Sequence, residues 1–166
     1  MAHAKNHGFL HYLFRAPVYL FRWQLGWLFG KRFLLLTHIG RKSGLHRQTV
    51  LEVVEYREQG PEVVVVSGFG FGSEWLRNIE ARGNEEVKIG SRHFAAKHRL
   101  LDEDEAVLVL KNYEHRNQLF RPIIRIVLSH LVGWRYCGTE DDRRRLVKQL
   151  PFIAFRQRTS ALKAAS

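Results

Sequence analysis

Between Thr37 and Arg47 the chain reads T-H-I-G-R-K-S-G-L-H-R. Two glycines, a hydroxyl and the cations Arg41, Lys42 and Arg47 fall close together, which is the composition of an anion cradle. Gly40 and Gly44 permit positive φ and close backbone approach, so several N–H groups can converge on one anion. Arg41 and Lys42 add charge, the Ser43 hydroxyl is a donor, and Arg47 can return a bidentate guanidinium to the same oxygens. The turn is not a Walker loop: the spacing of glycine to Lys-Ser fails, and a strand rather than a helix follows. Taken alone, a basic glycine turn between strands is also what a solvated hairpin looks like.

A second stretch, S-G-F-G-F-G-S-E-W-L-R-N from Ser67 to Asn78, has different chemistry. A buried valine strand opens into a Gly-rich loop on whose backbone, at the Ser67 and Gly68 amides, a flat ligand can lie. Trp75 and Asn78 stand one turn apart on the helix that follows and project to the same side. A planar heterocycle under an aromatic lid suits this arrangement, although a tryptophan there is as readily core.

These stretches need a frame. Phe33 to Ile39 is a short apolar run, Thr49 to Tyr56 is rich in β-branched residues, and a Glu-Gln-Gly-Pro turn at Glu58 to Pro61 closes it. Glu62 to Ser67 reads as a strand buried on both faces. Ser73 is placed to N-cap a short helix holding Trp75, Ile79 and Ala81, ending at Gly83. Glu86 to Ile89 and His93 to Leu100 read as a hairpin around Gly90-Ser91. Asp102 caps a helix with Ala106, Leu108, Val109 and Leu110 on its apolar side. Further helices are expected over Pro122 to Val132 and Asp141 to Leu150, with Pro151 to Arg156 extended. Five or six strands with peripheral helices suggest a small barrel with attached helices.

The order T-x-x-G-R-K-S-G-x-x-R-x-T, strands, S-G-x-G, W-x-x-N and a Val-rich hairpin resembles the deazaflavin-dependent nitroreductase family. These are coenzyme F-420-dependent quinone and nitro reductases of the FMN-binding split-barrel superfamily. The resemblance is close over Phe33 to Leu100, and the ending L-P-F-I-A-F-R looks like one subgroup. It implies a split β-barrel with peripheral helices (α+β), flavin-reductase-like, that binds reduced coenzyme F-420. It further implies that Arg41, Lys42, Ser43 and Arg47 hold the cofactor's phosphate and oligoglutamate tail. Ser67, Gly68 and Gly70 would line the deazaflavin ring, with Trp75 and Asn78 shaping its pocket, and Tyr113 and Tyr136 are the substrate-side candidates. Implied acceptors are quinones, nitroaromatics and activated enones. Three departures bear on substrate and ring contacts: Thr49-Val50-Leu51 replaces the frequent Thr-Pro-Leu, the loop before Trp75 is short and rich in Phe, and His38 replaces a small hydroxyl residue. FMN is the alternative cofactor, but its single phosphate would leave surplus the basic rim of Lys31, Arg32, Arg41, Lys42 and Arg47.

Composition bounds the rest. The chain has 166 residues, 45% of them hydrophobic, which suits one well-buried domain. The division expected is an amphipathic helix in 1–32 packed on the domain, a barrel domain over 33–158 and a frayed tail at 159–166. Net charge of +11 and a pI near 10.3 attract polyanions without choosing among them. A nucleic-acid module is the non-enzyme alternative, resting on Arg143-Arg144-Arg145, but Asp141 and Asp142 beside that run suggest a solvated helix face. The segment from about Gly8 to Gly30 reads as a helix, split near Pro17, that packs across the domain or rests on a membrane surface. Its charges preclude a span. A single cysteine, Cys137, excludes an intrachain disulfide and fits a cytoplasmic setting; as a residue it is expected to be buried or half-buried. Of nine histidines, His3, His7 and His11 share helical spacing but gather no carboxylate or cysteine, while His93 and His98 fall on opposite strand faces. No metal is therefore expected, and no G-x-S-x-G elbow marks a hydrolase. The partner expected is a small-molecule acceptor, not nucleic acid, with the chain a monomer or homodimer.

Overall fold

The computed structural model describes residues 31–60 and 62–158. The N-terminal helix, the trio His3, His7 and His11, and the tail expected to fray lie outside the described residues, as does Pro61 of the Glu58 turn.

Six antiparallel strands close into a barrel in the order β1-β2-β3-β6-β5-β4, with β4 returning to β1. They are β1 (Phe33–Ile39), β2 (His46–Arg57), β3 (Glu62–Val66), β4 (Glu85–Ile89), β5 (Arg92–Leu100) and β6 (Phe152–Gln157). Among the described residues four α-helices attach to it: α1 (Glu74–Arg82), α2 (Glu103–Arg116), α3 (Arg121–Val132) and α4 (Glu140–Gln149). Closure leaves no unpaired sheet edge, which is how a small β-domain protects its backbone groups.

The valine run explains the two-sided core. Val63 and Val65 point into the barrel with Leu34, Leu36, Leu51, Val87, Ile153 and Phe155. Val64, offset by one residue, points outward into a second cluster with Val54, Phe152 and Ala154 from neighbouring strands, Val109 and Leu110 of α2, and Leu146 of α4. Alternation in a strand sends successive side chains to opposite faces, so only an unbroken apolar run serves both clusters. In β2 a bulge between Val53 and Glu55 shifts the register, so that after the outward-facing Val54 the strand brings Tyr56 back against the inner cluster.

Caps follow the sequence with two adjustments. Asp102 accepts from the Glu105 amide at 2.8 Å, as an N-cap should. Helix α4 starts one residue early because Thr139 and Asp142 form a reciprocal capping box. Ser73 occupies the N-cap position of α1 but makes no capping bond; its hydroxyl is committed to that of Ser67 at 2.5 Å. Two side-chain expectations are corrected. Leu108 is 57% exposed and Val107 takes its place in the core, because the buried face of α2 runs through 106, 107, 109 and 110. Cys137 is exposed, on the loop between α3 and α4, where its amide donates to Asp142.

The Arg143-Arg144-Arg145 run is largely paired within the molecule. Arg143 meets the buried Glu114 at 2.7 Å, Arg144 meets Asp104 at 2.9 Å, and Arg145 lies over the Trp134 ring at 4.4 Å.

Candidate functional site

A cavity of about 1050 Å³ begins at the basic turn between β1 and β2 and extends between β2 and the helices α2 and α3. Its polar lining comes from Gly40, Arg41, Lys42, Ser43, Arg47 and Thr49, with Ser73, Glu74 and Asn78 from the start of α1. Its apolar lining comes from Val50, Val54 and Val66 of the sheet, Leu110 of α2, and a row along α3. That row includes Ile123, Ile124, Val127, Leu128 and Leu131. A site with one charged end and one apolar end holds an amphiphilic ligand, anion at the turn and flat body against the wall.

The turn is shaped by internal bonds, so fewer of its amides converge than its glycines suggest. The Gly40 N–H donates to Leu45, and the Gly44 N–H, at a φ of +68, donates back to Gly40. The Arg41 N–H donates to Asn78 Oδ1 at 3.0 Å. Among the described residues only the Lys42 and Ser43 amides of this turn are left without a partner. Gly40 owes its identity to space: a Cβ there would lie 2.7 Å from Ser43 Oγ and 3.0 Å from Arg47 Nε. Removing that carbon lets the hydroxyl and the guanidinium close over one small volume.

The three cations differ in what they are free to do. Arg41 is already engaged: its guanidinium forms a two-pronged pair with Glu74 at 2.7 and 3.1 Å and also donates to Asn78 Oδ1 at 3.0 Å. Its carbonyl accepts from Arg82 at 3.2 Å. Arg41 thus fastens the turn to α1, and its guanidinium holds the Glu74 carboxyl below the usual carboxylate range. Lys42 and Arg47 form no salt bridge among the described residues and are the cations left for a ligand. Of the rest of the basic rim, Arg32 lines the cavity, whereas Lys31 is held by Glu58 at 2.7 Å and by the Tyr56 ring.

Behind the turn, His38 is 3% exposed and lies between Asn78 of α1 and Thr49 of β2. Asn78 donates to its Nδ1 at 3.3 Å and Thr49 Oγ1 lies 3.3 Å from its Nε2. Burial, with the charge of Arg47 adding to it, pushes the imidazole pKa below its ordinary value, so the ring is neutral at physiological pH.

The residues singled out from the Gly-rich stretch separate into two groups. Gly68, Trp75 and Asn78 line the cavity, Trp75 with most of its ring buried against the barrel core and Phe155. Ser67 and Gly70 lie behind it. Ser67 is fully buried, its amide donating to the Pro151 carbonyl and its hydroxyl to Gly70 O at 2.8 Å. At Gly70, with φ at +66, a Cβ would stand 2.9 Å from the Gln149 carbonyl, so the glycine answers a backbone approach by α4.

The two tyrosines also part. Tyr113 lines the cavity and donates to Glu52 at 2.8 Å; burial first, then the Glu52 charge, raises its pKa and keeps it protonated. Tyr136 is 2% exposed in the outer core and donates to the buried Glu114 at 2.9 Å, away from the cavity lining. The α3 wall, Thr49 and Glu52 belong to the site without having been singled out for it. The apolar residues at 123, 124, 126, 127 and 128 cover much of α3 but have no spacing that separates lining from core, and no local pattern marks Thr49 or Glu52.

A family model described as F420H(2)-dependent quinone reductase matches residues 22–118. No curated protein matches the chain. Among solved structures, the chain is similar to an F420-H2 dependent reductase, FDR-A, at 18% identity over 76% of this chain and 95% of that one, with a TM-score of 0.46. It is similar to Atu2129 from Agrobacterium tumefaciens, a protein of unknown function, at 16% identity over 86% of this chain and 55% of that one, with a TM-score of 0.52. It is also similar to an FMN-binding, pyridoxamine 5'-phosphate oxidase-related protein from Nostoc punctiforme, at 12% identity over 86% of this chain and 78% of that one, with a TM-score of 0.42.

Proposed function

The chain belongs to the F420H(2)-dependent quinone reductase family, and from that premise we propose that its cavity carries hydride transfer from reduced coenzyme F-420 to a quinone, nitroaromatic or activated enone. The fold is a split β-barrel with peripheral helices, and the cofactor is coenzyme F-420. The observation that carries the site assignment is the polarity of the cavity, basic at the turn and apolar along β2, α2 and α3.

The residues present fit such a cofactor. Its phosphate and oligoglutamate tail need cations that are not already paired, and Lys42 and Arg47 meet that need. The space cleared at Gly40 brings Ser43 Oγ and Arg47 together as donors to one anion. Arg41 contributes through shape: bound to Glu74 and Asn78, it fixes the turn before a ligand arrives, which lowers the ordering cost of binding.

When bound, the deazaflavin supplies the hydride, a two-electron donation that asks no covalent chemistry of the protein. The chain's part is to orient and to exclude water. Trp75 and Gly68 bound the volume beside the turn, and the α3 row gives an acceptor an apolar wall to lie against. Tyr113, kept protonated with its one hydroxyl hydrogen given to Glu52, bounds the α2 side of the cavity as a fixed neutral group that orients an acceptor by contact rather than by donating to it.

The test follows reoxidation of reduced coenzyme F-420 by absorbance with one quinone, one nitroaromatic and one cyclic enone. Turnover with at least one, and loss of KM-dependent discrimination among them on Ile124→Ala or Leu128→Ala, is expected. A wild-type protein that binds the reduced cofactor and reoxidises it with none of the three would reject this acceptor class.

A further inference from the structure

We infer that the Thr49 hydroxyl is an aimed hydrogen-bond donor to a neutral acceptor oxygen of the cofactor, set in direction by a relay through Asn78 and His38. This rests on the cavity being the coenzyme F-420 site.

The direction of the relay follows from one end. Asn78 Oδ1 accepts both the Arg41 amide and the Arg41 guanidinium, each at 3.0 Å, so the oxygen of this side-chain amide must face Arg41. Its Nδ2 therefore faces His38 and donates to Nδ1 at 3.3 Å. An imidazole nitrogen that accepts carries no proton, which places the ring hydrogen on Nε2. Nε2 then donates to Thr49 Oγ1 at 3.3 Å. A threonine hydroxyl otherwise rotates freely between donating and accepting. Here one lone pair is taken, and no described residue accepts the hydroxyl hydrogen. Thr49 is part of the cavity lining, so that hydrogen is available to an acceptor inside it.

Strand geometry says which part of the ligand this is. Arg47 and Thr49 occupy the same face of β2, opposite His38 and Leu36 of β1, and side chains two residues apart stand about 7 Å apart along a strand. The anion belongs to Arg47 and Lys42. Thr49 meets what lies inward of it, where a neutral donor backed by a neutral imidazole matches a carbonyl or hydroxyl oxygen rather than a phosphate.

Thr49 would thus be a binding residue, and His38 and Asn78 positioning residues that act through it. Fluorescence titrations with two probes test this: coenzyme F-420, and the same deazaflavin lacking phosphate and tail. Thr49→Val is expected to weaken both by about 3- to 10-fold, the worth of one hydrogen bond, while Thr49→Ser retains most of the affinity. Lys42→Ala should weaken only the tailed probe. His38→Leu should cost as much as Thr49→Val in the wild-type background and nothing further in the Thr49→Val background, with His38→Gln restoring affinity. Thermal midpoints keep folding losses apart. The relay is overturned if Thr49→Val leaves both affinities unchanged, or weakens only the tailed probe, or if His38→Leu costs the same in both backgrounds. A wild-type protein that binds neither probe would instead remove the cofactor-site reading beneath it.

Discussion

At the scale of single residues, the basic turn divides its labour. Arg41 is tied to Glu74, Asn78 and Arg82, whereas Lys42 and Arg47 face the cavity without salt bridges among the described residues. Substituting them should therefore give different signatures. Lys42→Ala is expected to lower affinity for coenzyme F-420 about tenfold, steeply with falling salt, and to leave the melting temperature unchanged. Arg41→Ala should lower both, because Glu74 and Asn78 lose their partner and α1 loosens from the turn. Equal thermal stability of the two variants in scanning calorimetry would contradict this division. Gly40→Ala should reduce affinity with little loss of stability, since the carbon would displace only the ends of Ser43 and Arg47. The chemistry of this turn was legible in its residue types, but its internal wiring was not. That Arg41 would find Glu74 depends on where α1 docks, which no local spacing encodes.

At the scale of elements, the Gly-rich loop and the strand clamps carry the testable content. Gly68 and Gly70 look alike in sequence yet meet different surroundings. A Cβ at Gly68 would touch Leu131 at an ordinary 3.7 Å, while one at Gly70 would press on the α4 backbone at positive φ. Gly70→Ala should thus destabilise the fold by about 1–3 kcal/mol, and Gly68→Ala should narrow the cavity while keeping the fold. Chemical denaturation of both variants decides it, and equal midpoints would count against the assignment. On the barrel's other side, Arg57 and Arg99 bind Glu62 of β3 and Glu105 of α2 together. Hydrogen bonds from Arg99, joined against burial by those from Arg57, hold the Glu105 pKa down to about 2. A carboxylate with a depressed folded pKa stabilises fully above its unfolded value near 4.5 and loses that contribution as pH falls towards 2. Glu105→Gln should flatten the stability profile in that window, and an unchanged acid limb would refute the clamp. The strands themselves were readable because β-branched runs and turn residues mark them locally. Ser67 and Tyr136 show where such reading stops: both are polar residues near candidate motifs, and only the packing of β6 and α2 reveals that their hydrogen bonds are spent inside the protein.

For the whole molecule, the account is one of polarity within a closed barrel. Closure supplies an inner core that reaches the cavity at Leu51 and Trp75, and the outer faces of β2 and β3, with α2 and α3, supply much of the remaining wall. Much of the arginine content is structural, as the paired arginines of α4 and the strand clamp show, while Lys42 and Arg47 at the turn form no salt bridge among the described residues. No helix among the described residues is long and apolar enough to cross a membrane. The barrel class was recoverable from strand count and motif order, and the resemblance carried by two separated motifs was firmer than either motif alone. The acceptor end was less visible, because an α3 wall of ordinary isoleucines and leucines has no spacing that distinguishes lining from core.

The most direct test of the central claim is a pair of fluorescence titrations of the purified protein with coenzyme F-420 and with FMN at matched ionic strength. Tighter binding of coenzyme F-420 is predicted, with the difference erased by Lys42→Ala and Arg47→Ala together, since those cations serve the tail that FMN lacks. Equal or tighter binding of FMN by the wild-type protein would contradict the account.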